Sequence, residues 1–152
     1  MTLSMLKFAL AGLASQVLAE SVVLVAPETE AVGEPLAVVW IQGPNYSADQ
    51  YVQIAQTFQS EAAKLGYKAW IGLPDFTYSK VKDRGFDDHI ESVMSKIMES
   101  GFEGDNWFLA AHSLGGYMTQ DYLNSGSRKA DPSQFKGQIL MGNAILRSQR
   151  KL

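Results

Sequence analysis

The chain has 152 residues, a one-domain length; 46% are apolar and 19% charged, proportions that argue against disorder. Its net charge of −3 lacks the basic excess of a nucleic-acid footprint. Two histidines and no cysteine exclude disulfides and leave little for a zinc site.

Residues Met1 to Ala19 carry one charge, Lys7, followed by an apolar run of about a dozen residues, too short to span a bilayer. Val17 and Ala19 fit the −3 and −1 positions of a signal-peptidase site, with Glu20 opening the mature chain. The expectation is a secreted or secretory-pathway protein with a leader at 1–19 and one domain at 20–152. Nowhere do 18 apolar residues run together, so no transmembrane segment is expected. Asn45-Tyr46-Ser47 is a glycosylation sequon, usable only in a secretory compartment.

Val22-Val-Leu-Val25 is a short β-branched run stopped by Pro27. Leu36-Ala-Val-Val-Trp-Ile41 is apolar throughout, the pattern of a strand covered on both faces. Gly43-Pro44-Asn45 breaks it, and Ser47 with Gln50 forms a capping box. Tyr51, Ile54, Ala55, Phe58, Ala62 and Leu65 then keep helical spacing up to Gly66. Tyr67–Leu73 predicts a second strand, and 75–85 a polar loop with Phe76, Tyr78 and Phe86 about it, either a lid or substrate wall or simply a mobile surface loop. Ile90, Val93, Met94, Ile97 and Met98 share one face of a second helix ending at Gly101. Trp107–Ala111 predicts a third strand, Gly115–Leu123 a helix and Gly137–Met141 a fourth strand. Strands alternating with helices predict an α/β fold: a parallel sheet with helices on both faces, a three-layer sandwich.

One motif carries chemistry. Ala111-His112-Ser113-Leu114-Gly115-Gly116 follows an apolar strand and opens a helix, the setting of a nucleophile elbow. Small residues two before and two after the serine, Ala111 and Gly115, let strand and helix pack closely. The sharp turn lifts Ser113 above the carboxyl end of the sheet, where α/β folds bind ligands. The helix N-terminus behind it favours a developing oxyanion.

This arrangement resembles the α/β-hydrolase superfamily over residues 36–143, its esterase, lipase and chlorophyllase-like branches above all. The resemblance implies acyl-ester hydrolysis by Ser113, with no cofactor and a small ester or lipid-like substrate. It implies Leu114 N–H as first oxyanion donor and the Gln42-Gly43-Pro44-Asn45 loop as source of the second. Pro44 has no N–H to give, so Gly43 and Asn45 are the candidates there.

The family order is Ser, then acid, then His. After Ser113 come Asp121 and Asp131 but no histidine, and the sequence stops about a dozen residues past the fourth strand. The expectation is therefore a C-terminally truncated hydrolase domain with an incomplete triad and weak activity. The alternative is a catalytically inactive binding module of the same fold; an unrelated doubly wound domain is a third reading. His112, adjacent to Ser113, is expected to shape the elbow with its side chain turned from the serine hydroxyl. His89 is expected at a helix start, on the surface or half-buried. Arg147, Arg150 and Lys151 read as a solvated tail. The fourth strand would form an uncharged sheet edge, and self-association through Gly137–Leu146 is expected.

Overall fold

A computed structural model of the chain describes residues 22–28, 30–75, 85–125 and 131–145. The expected leader, Phe76, Tyr78 and the basic tail lie outside them. Five strands form one sheet: β1 (Val22–Val25), β2 (Glu34–Ile41), β3 (Tyr67–Pro74), β4 (Trp107–His112) and β5 (Phe135–Met141), in the order β1-β3-β2-β4-β5. Among the described residues three α-helices pack on it: α1 (Val52–Lys64), α2 (Phe86–Glu99) and α3 (Leu114–Ser125). The four strands expected from the sequence pair in parallel. The short run Val22–Val25 is a fifth strand and departs from the all-parallel expectation. It pairs antiparallel with β3, Val22 opposite Pro74 and Val25 opposite Ile71.

β2 is buried from Leu36 to Ile41, and its alternate side chains feed two cores. Ala37, Val39 and Ile41 join Leu109, Ala111, Ile90, Val93 and Ile97 on the face covered by α2 and α3. Leu36, Val38 and Trp40 join Ile71, Leu73, Ala55 and Ala62 on the face covered by α1. This division explains the uninterrupted apolar run: neither face of a central strand meets water. At one end of the first core, Trp70, Phe102 and Trp107 meet edge to face, with centroids 5.4 and 4.9 Å apart.

The capping box is present, with Gln50 Oε1 accepting from the Ser47 N–H at 2.9 Å, although the first turn, Ala48–Tyr51, is 3₁₀. Gly66 ends α1 in the left-handed region at φ 84°, where a side chain is disfavoured. Ile54, Leu65 and Met98, placed by spacing on apolar faces, are instead exposed. Single helices carry more apolar residues than the sheet beneath them can cover. β5 stands at the sheet edge with every residue at least partly exposed. Among the described residues no helix is long and apolar enough to cross a membrane.

Tyr122 is buried in α3. Burial, then the nearby carboxylates of Asp87, Glu91 and Asp131, pushes its phenol well above the ordinary range. A folded-state pKa above the unfolded value of about 10 means stability that is complete below that pH and lost as pH rises through it. Urea unfolding followed by tryptophan fluorescence should therefore show, in the native chain, a loss that sets in at about pH 10 and steepens above it. The loss should be smaller in Tyr122→Phe; an identical loss in both would refute the assignment.

Candidate active site

The parallel part of the sheet starts at β2, moves outward to β3, then returns past β2 to β4 on its other side. The connections leave β2 and β4 in opposite directions, the arrangement that opens a crevice at the carboxyl ends of such strands in α/β folds. Open α/β sheets bind ligands at such a switch point. The two segments singled out by sequence, the Gly43 loop after β2 and Ser113 after β4, both fall there.

Ser113 joins β4 to α3 at φ 54°, a left-handed conformation rare for a residue with a side chain. Such strain persists only where surrounding structure fixes it, and it clusters at functional positions. Here the fixing contacts are explicit. The Ser113 N–H donates to the Met141 carbonyl at 3.0 Å, carrying the β4–β5 ladder one residue past the strand. The Ser113 carbonyl accepts from the Gly116 N–H at 3.0 Å and from Asn143 Nδ2. Gln120 Nε2 ties α3 to the loop after β5, donating to the carbonyls of Gly116 at 2.9 Å and Ala144 at 3.1 Å.

Close packing of strand and helix is realised at Gly115. A Cβ there would lie 2.8 Å from the Gln42 carbonyl oxygen and 2.9 Å from Ile41 Cγ2, inside contact distance of a buried strand end. Ala111 is fully buried on the same face. Leu114 is the first residue of α3, so its N–H belongs to the first turn, where amides have no intrahelical partner.

Across the crevice the Gly43 N–H donates to the Tyr51 hydroxyl at 2.8 Å. The same hydroxyl lies 2.8 Å from His112 Nδ1. Burial raises the Tyr51 pKa, with the Gly43 amide opposing, so the phenol stays protonated and able to donate. Tyr46 stands edge-on to the rings of Tyr51 and His112, centroids 6.0 Å from each. His112 thus faces Tyr51 and the Gly43 loop. Asn45 is exposed at φ 64°.

The remaining candidates lie elsewhere. His89 is 2% exposed, deeper in the α2 packing than a surface or half-buried helix start. Asp121 is exposed on α3. Asp131 precedes β5 at its amino end, roughly 20 Å by strand rise from the crevice. Its carboxylate accepts from the Ser133 N–H at 2.9 Å, and hydrogen bonds from Ser133 hold its pKa below the usual value. Among the described residues no three His, Asp or Glu gather as a metal site. Sequence reasoning missed Tyr51, taken for a core residue of a helix, and Asn143. Each acts through a partner tens of residues away, 61 for Tyr51 with His112 and 30 for Asn143 with Ser113, a span at which no local pattern exists.

Solved structures similar to this chain include S-formylglutathione hydrolase from Staphylococcus aureus, at TM-score 0.60 and 17% identity over 88% of this chain and 56% of that one. A fluorophosphonate-binding serine hydrolase of the same organism, substrate bound, aligns at TM-score 0.54 and 18% identity over 72% and 48%. Esterase 2 of Thermogutta terrifontis, phosphonylated by sarin, aligns at TM-score 0.53 and 17% identity over 83% and 54%. The fold is accordingly of the α/β-hydrolase type, and the chain spans about half the length of these structures. No protein-family model and no curated protein sequence matches the chain.

Proposed function

We propose that the chain carries the nucleophile half of a serine hydrolase acting on carboxylic esters. The observation that carries this reading is Ser113 at φ 54° between β4 and α3, at the switch point of an α/β-hydrolase-type sheet. Ser113 Oγ would attack the ester carbonyl carbon and the alcohol would leave, with water later releasing the acid. Leu114 N–H is the first oxyanion donor, and the Gly43–Asn45 loop supplies the second. Hydrolase and esterase neighbours, some holding a substrate or a phosphonyl group, support a small ester or lipid-like substrate. Incubation with an alkyl fluorophosphonate followed by peptide mass spectrometry tests the reading. The phosphonyl group is expected on Ser113; a chain left unmodified, or modified equally in Ser113→Ala, would refute it.

The second reading is a binding module of the same fold without turnover. It is favoured by His112 facing Tyr51 and by Asp131 lying at the opposite end of β5 from the crevice. For either reading we propose a secreted chain cleaved after Ala19. Intact mass of the exported protein should begin at Glu20; a product retaining Met1 would count against export.

A further inference from the structure

We propose that Tyr51 and His112 are positioning residues of this site, one shared hydroxyl fixing the loop after β2 against the nucleophile strand; the proposal rests on Ser113 being the nucleophile. Three segments converge on Tyr51 Oη: Gly43 after β2, Tyr51 itself in the turn before α1, and, 61 residues on, His112 at the end of β4. A phenol has one proton and accepts through its lone pairs. The Gly43 N–H fills one acceptor position, and we place the hydroxyl proton toward His112 Nδ1, the arrangement of the tautomer protonated on Nε2. In that tautomer the hydrogen bonds run amide to phenol, phenol to imidazole.

The fit leaves no slack. A Cβ at Gly43 would stand 2.7 Å from His112 Nδ1 and 3.4 Å from Tyr51 Oη. Tyr46 closes the other side, edge-on to both rings. The Gly43 amide is thus committed to Tyr51, and Pro44 has no N–H. Gly43 becomes the anchor of its loop, and the second oxyanion donor falls to Asn45, held just beyond the anchor in the left-handed region. Because His112 immediately precedes Ser113, the same hydrogen bond that fixes the loop fixes its distance from the nucleophile.

The test follows phosphonylation of the full chain by an alkyl fluorophosphonate. Ser113 Oγ forms the O–P bond, the P–F bond breaks, fluoride leaves and the hydroxyl proton passes to solvent. The phosphoryl oxygen takes the place of the oxyanion, so the rate reports on the hole. Tyr51→Phe keeps the ring and removes the hub; misplacing a donor loop by about 1 Å costs on the order of 10²-fold, and a fall of that size is expected. His112→Leu should fall similarly. His112→Asn, whose side-chain carbonyl oxygen can accept in place of Nδ1, should recover most of the rate. The Gly43 amide proton resonance should move in Tyr51→Phe and hold in His112→Asn. Labelling of Tyr51→Phe at the native rate, or equal losses in both His112 variants, would overturn the proposal. A native chain that never labels would instead remove the nucleophile reading beneath it, with the Gly43 resonance still showing whether the hydroxyl is the anchor.

Discussion

Gly115→Val is expected to destabilise the chain severely. The atoms a side chain would meet at Gly115 are the Gln42 carbonyl and Ile41 Cγ2, both in fully buried residues at the end of the central strand. Ile41 is paired with Ala111 of β4, so this strand end cannot shift without straining that pairing. The alternative is to lift α3, which would take Thr119, Gln120 and Tyr122 out of their buried positions. Overpacking a rigid core costs about 1–3 kcal/mol for added methylenes, occasionally more. A β-branched residue against main chain belongs at the upper end, a large share of the roughly 5–15 kcal/mol that holds a typical domain together. Gly115→Ala, a single methyl at the same point, should lower the urea midpoint clearly while still allowing a cooperative transition. An alanine variant with the native midpoint would show that strand and helix do not need their closest approach here.

Hydrolysis of a short p-nitrophenyl ester by the 152-residue chain should not exceed roughly 10³–10⁴ over water, the residue left to serine proteases when triad members are removed. Binding and oxyanion donors remain in such a site, but no imidazole stands ready to take the serine proton. His112 Nδ1 is engaged with Tyr51, His89 is buried in α2, and Asp131 sits at the amino end of β5. Ser113→Ala should reduce even this rate to that of buffer. Turnover far above the stated ceiling, dependent on Ser113 and abolished by His112→Asn, would show that His112 acts as a base and overturn its assignment to the loop.

Much of the architecture was legible because it rests on local pattern. The unbroken apolar runs of β2 and β4 announced central strands, and the spacing of Ile90, Val93, Met94 and Ile97 announced the inner face of α2. The strand-to-helix turn at Ser113 was legible for the same reason: a serine between a buried strand and a glycine-rich helix start is a contiguous signal. β1 was not, since four β-branched or aliphatic residues say nothing of direction, and its antiparallel pairing is decided by β3. Ile54 and Met98 have the spacing of core residues, yet the area of sheet beneath a helix determines how many such residues it can bury. The Tyr51–His112 bond was invisible because a tyrosine at helical spacing and a histidine at the end of a buried strand each have an ordinary local explanation. Only folding brings the two together.

The antiparallel seating of β1 has a consequence for the order in which the chain acquires structure. A strand made early must wait for a partner about fifty residues downstream, whereas β2, α1 and β3 follow one another directly. Loop closure over that span is slow relative to hairpin or helix formation. During synthesis Val22–Val25 therefore remains an extended, unpaired segment until the βαβ unit behind it has condensed, and it docks on a surface already made. The first strand is thus the last of its neighbourhood to be fixed, and its departure would expose β3 without dismantling the crevice between β2 and β4. Pulling the molecule from its amino end would accordingly peel β1 away at low force, well before the sheet around Ser113 yields.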